Sequence, residues 1–322
     1  MKMLFYGFRH SHIDGLFQLA QNNARVQIAA CLEEDDAARK SAEERLGVQF
    51  DLQPYDEWLQ TDIDIVAIGG RYGDRGQAII KALKAGKHVI ADKPICTSVE
   101  EYEEIARLVK EKGLKIACMF DLRYMSSSRA AKVLFESGEM GEVRNVSFTG
   151  QHYLNYGNRP MWYFEKGMHG GTLNDLAIHG VDLITHLTGL CMKEVNAARC
   201  WNAYATEQKD FKDCATYMAT LENGAGVLAD LSYSAPPLVY GTETYWNFKF
   251  WCDKGLVTFN WNTPNVTVYK FGENEPWVLD GIKDEKNYLD DLLDEIQTNG
   301  ELMTDSVLCT TYQTLTLQSK AR

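Results

Sequence analysis

The sequence predicts an α/β protein with a doubly wound parallel sheet at its N-terminal end, followed by an α+β domain with a large, mostly antiparallel open sheet. Over the first 120 residues, short apolar runs alternate with segments whose apolar residues recur at helical spacing, as expected for parallel strands joined by helices. Between residues 195 and 269 the chain is rich in Tyr, Trp, Thr and Val at a period of two, which indicates antiparallel strands. A length of 322 residues also favours two domains, which we place at 1–120 and 121–322.

The first domain contains five apolar runs that are typical of buried strands, at 3–6, 27–32, 63–68, 88–91 and 115–119. Helical patterns separate these runs at 13–21, 36–46, 76–85 and 99–111, and glycines follow three of the patterns, at Gly47, Gly86 and Gly113. In such a sheet, ligands bind at the carboxyl ends of the strands. Lys93 follows the fourth run and is therefore expected at that edge.

The second domain begins with a predicted helix at 127–137 and a strand at 143–153, followed by a helix that carries Asp175 and His179. Further strands are predicted at 215–221, 226–232, 245–251 and 257–261. Two amphipathic patterns, at 284–298 and 304–319, predict helices at the C-terminal end of the chain.

The composition favours a small-molecule ligand. The hydrophobic fraction of 45% and the formal net charge of −12 argue for a soluble globular protein and against a nucleic-acid or anionic-membrane partner. No apolar run approaches the roughly 18 to 20 residues that span a bilayer, and the apolar start of the chain is too short for a secretory signal. Eight cysteines form no CxxC pair, and we expect a cytoplasmic protein.

Three residues supply the groups needed for proton transfer. Asp175 and His179 are four residues apart and would share one helix face, directly after Gly170 and Gly171. Oxidation of a secondary alcohol requires a base at the hydroxyl while a hydride leaves the same carbon. We assign the base to His179, electrostatic stabilisation of the oxygen to Lys93, and positioning to Asp175.

Several ordered segments resemble the glucose–fructose oxidoreductase and inositol dehydrogenase (Gfo/Idh/MocA) family. These are the Ala-Gly-Lys-His-Val sequence at 85–89 that runs into Asp92-Lys93-Pro94, then Arg123, the turn at 137–143, Trp162, and the segment from Gly170 through His179 to Asp182. The resemblance implies a Rossmann domain, a C-terminal sheet that forms a homodimer or homotetramer, and NAD or NADP chemistry on a polyol. It also identifies Lys93 with the lysine of the family's Glu-Lys-Pro motif and implies that Asp175 and His179 face it.

The expected dinucleotide loop departs from the family pattern. Gly-x-Gly-x-x-Gly normally follows the first strand, whereas this chain has Gly7-Phe8-Arg9-His10-Ser11-His12. Arg9 would place a side chain where the pyrophosphate lies, and His12 would separate helix from strand. Either Arg9, His10 and Ser11 bind phosphate from a rearranged loop, or the site has lost its affinity. A metal on His10 and His12 is disfavoured because no cysteine or carboxylate clusters with them at ligand spacing, and no metal is predicted.

Other positions complete the predicted cofactor site. After the third strand, where the family has Thr-Pro-Asn and then a histidine, this chain has Gly69-Gly70-Arg71-Tyr72-Gly73-Asp74-Arg75. Gly70, Arg71, Tyr72 and Arg75 are therefore cofactor candidates beside Asp92 and Lys93, with an ordinary loop as the alternative interpretation. Glu33, at the end of the second strand, would bind the ribose diol and favours NAD over NADP.

The substrate candidates are aromatic and basic side chains that suit a polyol: Arg123, His152, Tyr153, Tyr156, Trp162 and His169. The favoured function is an NAD(P)-dependent oxidoreductase that acts on a sugar, cyclitol or related polyol. A redox-neutral lyase, epimerase or glycosidase that uses NAD is the first alternative. A non-catalytic binder that lost the cofactor loop is the second.

Overall fold

The computed structural model describes residues 1–322, and the chain forms two compact units. The division beside residue 120 lies next to the predicted domain boundary, but two later segments return to the first unit because helix and strand contacts hold them there. The first unit contains Met1–Met119, Gly167–Gly170 and Asn287–Thr311, and the second contains Phe120–Lys166, Gly171–Lys286 and Tyr312–Arg322.

The sheet of the first unit is entirely parallel, with the strand order β2-β1-β3-β4-β5. The chain order reverses between β1 and β3, so the loops after these strands lie at the switch point where ligands bind in such sheets. This confirms the predicted α/β class. The strands are β1 (Lys2–Tyr6), β2 (Gln27–Leu32), β3 (Ile65–Ile68), β4 (His88–Ala91) and β5 (Ile116–Cys118).

The helices of this sheet follow the sequence signals closely. Gly47 and Gly113 end two of them in the left-handed conformation. Asp35 and Ser98 cap the first turns of the same two helices through their side chains. The helices are α1 (His12–Gln21), α2 (Asp36–Leu46), α3 (Tyr55–Trp58), α4 (Tyr72–Lys84) and α5 (Val99–Lys112).

Helix α4 begins four residues before the predicted start, so that Tyr72 and Arg75 lie in its first turn rather than in a loop. Glycines at 73 and 76 hid this turn in the sequence because glycine is a poor helix former. Close packing requires glycine at both positions. A Cβ on Gly73 would lie 2.4 Å from the Gly167 carbonyl oxygen, and one on Gly76 would lie 2.3 Å from the Glu101 carboxylate.

The second unit contains an eight-stranded sheet in the order β13-β12-β11-β10-β6-β9-β8-β7, in which only β6 and β9 pair in parallel. Its pattern of alternating burial confirms the predicted antiparallel sheet. The strands are β6 (Val143–Gln151), β7 (Met192–Trp201), β8 (Cys214–Leu221), β9 (Gly226–Ser232), β10 (Asn247–Cys252), β11 (Gly255–Asn260), β12 (Val266–Lys270) and β13 (Trp277–Leu279).

The remaining helices are α6 (Ser126–Glu136), α7 (Ile178–Thr188), α8 (Tyr288–Thr298) and α9 (Leu302–Lys320). A π-helical turn at Leu173–Ala177 leads directly into α7. None of the helices combines the length and apolar character that a membrane crossing would need.

Two helical glycines should respond in opposite ways to replacement by alanine. A methyl group on Gly15 in α1 would have no atom within 4 Å, whereas one on Gly180 in α7 would lie 2.1 Å from the Phe148 ring. We expect Gly15→Ala to raise the free energy of unfolding by about 0.5–1 kcal/mol and Gly180→Ala to lower it by about 1–3 kcal/mol. Chemical denaturation of both variants checks this, and equal effects would contradict the packing described for α7.

Candidate functional site

In the first unit, the loops after β1 and β3 pack backbone against backbone. Gly7 has φ +83°, and a Cβ there would lie 2.6 Å from the Gly70 backbone nitrogen. Only glycine tolerates both the conformation and the approach. The one glycine retained from the dinucleotide pattern is therefore the one that this packing requires.

Glu33 organises the predicted cofactor loop from the end of β2. Its buried carboxylate accepts hydrogen bonds from the Phe8 backbone N–H at 2.6 Å, from Arg9 Nε at 3.1 Å and from the Asp35 backbone N–H at 3.0 Å. Arg9 also lies 3.3 Å from the Asp35 carboxylate. The Arg9 guanidinium is thus held by acids at the end of β2.

Asp92 forms the centre of a buried polar cluster. Its Oδ2 lies 2.5 Å from His10 Nδ1 and 2.6 Å from Arg75 Nη2, and its Oδ1 lies 3.2 Å from His12 Nδ1. Burial opposes ionisation of the carboxyl, but Arg75 and the two histidines outweigh it and hold the Asp92 pKa well below its usual range. Burial also lowers the pKa of His10 to about 3, so its imidazole is neutral.

Arg75 ties the loops after β3 and β4 together. Its guanidinium is fully buried, and a guanidinium has five N–H donors that need acceptors. Each nitrogen donates at least once within the unit, and most of the acceptors are backbone carbonyls. The acceptors are the oxygens of Gly70 (3.0 Å), Gly69 (3.4 Å), Lys93 (2.6 Å) and Pro94 (3.2 Å) and the Asp92 carboxylate.

Lys93 is 4% exposed and is joined to Pro94 by a cis peptide bond. Its Nζ lies 5.9 Å from the centroid of the Tyr72 ring, over which the Arg75 guanidinium also lies at 4.5 Å. His169, predicted to contact substrate, belongs to this unit, and its ring centroid is 5.8 Å from that of Tyr72. The structure thus groups three predicted residues, Lys93, Arg75 and His169, around the ring of a fourth, Tyr72.

A cleft of about 320 Å³ lies at the carboxyl ends of β1 and β3. Arg71 lines it and is paired with Asp74 at 2.6 Å. The stacked rings of Tyr6 and Tyr55, 3.9 Å apart, also lie at its wall. Gly70 and Arg75, predicted with Arg71 to bind the cofactor, line the same cleft.

In the second unit, Asp175 lies in the π-helical turn and His179 in the first turn of α7. The prediction of a single α-helix through both residues is therefore wrong in detail, because one turn is wider. Single π turns occur frequently at functional sites, where they re-aim side chains. Asp175 and His179 are 2% and 8% exposed.

Tyr233 fixes the Asp175 carboxylate by donating a short hydrogen bond to Oδ2. Burial, and then the charge of Asp175, raise the Tyr233 pKa well above its ordinary value, so the phenol stays a donor. Gln318 supports the start of the turn, since its Oε1 accepts the Leu173 backbone N–H at 3.0 Å.

The neighbourhood of His179 is aromatic. Its ring meets the Trp246 indole edge to face, with centroids 5.3 Å apart. Trp246 has φ +49°, an uncommon conformation for a bulky residue. Such strain marks a position that the surrounding packing determines.

Three predicted substrate residues lie in this unit with structural partners. The Arg123 guanidinium forms a buried, two-pronged ion pair with Asp182, with Nε 2.8 Å from Oδ2. Trp162 is buried and packs on Tyr163 at 4.2 Å. Tyr153 is half-buried and its carbonyl accepts from Arg159. Their roles toward substrate stay predictions.

Sequence reasoning missed Tyr233 and Gln318, and for Arg75 it offered cofactor binding or an ordinary loop but not the buried pair with Asp92. Tyr233 is 58 residues from Asp175, and no local spacing connects them. For Arg75, its place three residues after Tyr72 in a helix start was the only signal, and the glycines concealed it.

Two family models match the chain. Residues 8–120 match the oxidoreductase family with an NAD-binding Rossmann fold, and residues 128–258 match the GFO/IDH/MocA C-terminal domain. The chain belongs to the GFO/IDH/MocA oxidoreductase family. This confirms the resemblance found in the sequence, including the Rossmann type of the first sheet.

Relatives within the GFO/IDH/MocA family act on different compounds. Levoglucosan dehydrogenase of Pseudarthrobacter phenanthrenivorans is 32% identical over 66% of this chain and 60% of its own length. An NAD⁺-dependent scyllo-inositol 2-dehydrogenase of Bacillus subtilis is 28% identical over 59% of this chain and 55% of its own. A 2,7-anhydro-N-acetylneuraminate hydratase of Escherichia coli is 28% identical over 49% and 42%. The matches thus span about half the length of these relatives.

A solved structure supports the family fold over the whole chain. A putative oxidoreductase from Erwinia carotovora atroseptica superimposes with a TM-score of 0.87, at 22% identity, over 100% of this chain and 99% of the other. At 22% sequence identity, this superposition shows a shared fold and carries no conclusion about activity.

Some residues of the first unit fit the dinucleotide that the family binds. The Gly7 turn, the N-terminus of α1 directly after Ser11, and Glu33 at the end of β2 are the features that hold pyrophosphate and ribose in a Rossmann fold. Glu33 already accepts three hydrogen bonds, and an ionised carboxylate has about four acceptor positions. A ribose hydroxyl is therefore accommodated, with Arg9 as its neighbour.

Replacement of the two arginines at the start of α4, Arg71 and Arg75, should change the stability of the protein by very different amounts. Arg75→Met leaves the buried Asp92 charge without its guanidinium and should lower the free energy of unfolding by about 3–5 kcal/mol. Arg71→Met removes a partly exposed pair with Asp74 and should cost about 1 kcal/mol or less. Urea denaturation of both variants measures the difference. Comparable losses would show that the buried cluster does not hold the loops together.

Proposed function

We propose that this protein is an NAD-dependent oxidoreductase that transfers a hydride between nicotinamide and a secondary alcohol of a sugar, cyclitol or related polyol. The observation that carries the proposal is the buried lysine at the carboxyl end of β4, held through its own carbonyl by Arg75. A buried ammonium at a fixed position is suited to stabilise charge on a substrate oxygen.

The roles of the three catalytic residues follow from their chemistry. We propose that His179 removes the hydroxyl proton, because imidazole is the side chain that exchanges a proton near neutral pH. Lys93 stabilises the oxygen as its negative charge develops. Asp175, fixed by Tyr233, accepts a hydrogen bond from a neighbouring hydroxyl or orients the imidazole.

The nicotinamide dinucleotide supplies the hydride acceptor when it is bound. Glu33 would hold the adenosine ribose diol, and the N-terminus of α1 would hold the pyrophosphate. Of the predicted loop residues, we propose Arg9 and Ser11 as the phosphate contacts, because the His10 side chain turns inward to Asp92.

The acids after β2 should select NADH over NADPH. Glu33 is followed by Glu34, Asp35 and Asp36, so a 2′-phosphate would meet several carboxylates. We expect NADH to bind about tenfold or more tightly than NADPH, and Glu33→Gln to reduce that preference. Fluorescence titrations, following energy transfer from tryptophan, measure both affinities.

Glu44→Gln, at an exposed position of α2, is the matched control and should leave the preference for NADH unchanged. Stronger binding of NADPH to the unmodified protein would reject the assignment of Glu33. Failure of both nucleotides to bind, with none co-purified, would favour a binder that has lost the cofactor.

The aromatic surroundings of the second unit fit a polyol substrate. Trp162 packs against Tyr163, and the faces of such aromatic rings are suited to contact the C–H groups of a sugar. Two relatives act, by name, on levoglucosan and scyllo-inositol. We propose these two compounds as the first members of a substrate panel.

The alternative is a redox-neutral reaction with the same residues, in which bound NAD is reduced and reoxidised. One relative is, by name, a hydratase of an anhydro sugar, which has no net redox change. Such an enzyme would turn over without releasing NADH and would lose activity when its nucleotide is removed.

Replacement of the proposed base and of the lysine should abolish turnover. We expect His179→Ala to lower kcat by about 10²–10⁴-fold and Lys93→Ala by about 10²–10³-fold in NADH formation with the best substrate of the panel. Tyr204→Phe, on an exposed ring without a predicted role, serves as the control and should retain activity. Near-normal turnover in both alanine variants would refute the assigned roles.

We also propose a homodimer or homotetramer formed through the C-terminal sheet. Cross-strand neighbours expose apolar side chains on that sheet. Met218 lies beside Leu228, and Trp251 is in line with Tyr269 through Leu256.

We further propose a cytoplasmic location. All eight cysteines are free thiols, which fits a reducing compartment such as the cytoplasm.

A further inference from the structure

Two histidines that follow β1, His10 in the loop and His12 at the start of α1, meet a carboxylate about eighty residues away. One ring nitrogen of each histidine and an Asp92 oxygen all lie within 4.8 Å of one another, and Nδ1 is the atom of each ring that contacts Asp92. The two imidazole rings stand edge to face with centroids 4.2 Å apart. The fold thus brings a carboxylate from the end of β4 to the two histidines.

The contacts behind these atoms resemble those that orient metal ligands. His10 Nε2 lies 3.2 Å from the Tyr72 hydroxyl, and Asp92 Oδ2 lies 2.6 Å from Arg75 Nη2. Metal-binding histidines regularly use their second nitrogen in a hydrogen bond, and ligating carboxylates are themselves hydrogen-bonded. Both conditions hold here.

We propose that His10, His12 and Asp92 form a binding site for one divalent transition-metal ion. Two imidazoles and one carboxylate suit Zn²⁺, Co²⁺ or Fe²⁺, whereas Mg²⁺ and Ca²⁺ prefer oxygen ligands. Three protein ligands leave at least one position open. The His12 side chain is 42% exposed, so solvent reaches the cluster from that side.

Binding requires a change of tautomer at His10. Without an ion, the proton on Nδ1 bonds to Asp92 Oδ2; with an ion on Nδ1, that proton moves to Nε2 and is donated to the Tyr72 oxygen. The number of protons on the ring stays the same. Tyr72 is thereby placed to stabilise the metal-bound form.

Arg75 opposes the ion electrostatically, and this specifies the remaining ligand. A dication beside the Arg75 guanidinium gives three positive charges against the single negative charge of Asp92. The open position should therefore take an anion, namely hydroxide, a carboxylate or a phosphate oxygen. Metal affinity should rise when a carboxylate such as acetate is present.

Cobalt titration of the chelator-treated full-length protein tests the site. We expect Co²⁺ to produce visible absorption bands that saturate at one ion per chain, and Zn²⁺ to abolish them by displacement. Addition of acetate should tighten Co²⁺ binding. Isothermal titration with Zn²⁺ should give the same stoichiometry without any substrate or nucleotide.

The variants separate this site from adventitious binding. His12→Gln changes a partly exposed side chain, so it should fold normally by circular dichroism and lose saturable binding. Tyr72→Phe should weaken binding roughly 10–100-fold. His152→Gln, in the second unit, is the matched histidine control and should bind as the unmodified protein does.

The absence of saturable Co²⁺ and Zn²⁺ binding would overturn the proposal and leave the cluster as a buried hydrogen-bond network. Equal binding by His12→Gln and the unmodified protein would overturn it as well. Neither result depends on turnover or on NADH affinity. The metal site can therefore be disproved while the oxidoreductase function stands, and the oxidoreductase function can be disproved while the metal site stands.

Discussion

The buried pairing of Arg75 with Asp92 is the interaction on which the first unit's site depends. Three loops, after β1, β3 and β4, have to meet at the carboxyl edge of a parallel sheet, and each brings backbone carbonyls or charge that water cannot reach. The Arg75 guanidinium satisfies several of these groups at once, because it donates hydrogen bonds to four carbonyls and to the Asp92 carboxylate. A charge buried this completely is tolerable only with such a set of partners.

Placement of Lys93 follows from the same pairing. Its carbonyl is one of the Arg75 acceptors, so the backbone of the proposed catalytic lysine and the start of α4 share a single support. In the second unit, Tyr233 fixes Asp175 through a hydrogen bond to its carboxylate. In both units a residue proposed for the reaction is therefore held by a partner distant in sequence, through its backbone in Lys93 and through its side chain in Asp175.

The fold was largely predictable because its signals are local. Apolar alternation located the strands, and Gly47 and Gly113 marked helix ends, since the left-handed conformation after a helix suits glycine. The start of α4 was not predictable, because Gly73 and Gly76 serve contacts with segments far along the chain. The π turn at Asp175 was likewise hidden, since its sequence also suits an ordinary helix. Nothing local distinguishes a guanidinium that turns inward from one that faces solvent.

The three departures from the family pattern have one physical explanation. Where the family motif has glutamate before the lysine, this chain has Asp92, whose side chain is one methylene shorter. A shorter acid at the end of β4 leaves space that longer donors must cross. His10, His12 and Arg75 cross it from the loop after β1, the start of α1 and the start of α4. Small apolar residues at 10 and 12 would leave the carboxylate with Arg75 alone, in a site too buried for water to compensate. The loss of the glycine pattern after β1 and the gain of an arginine after β3 are thus two parts of one arrangement around Asp92. That arrangement draws His10 inward to β4, whereas Arg9 next to it bonds to Glu33 at the end of β2.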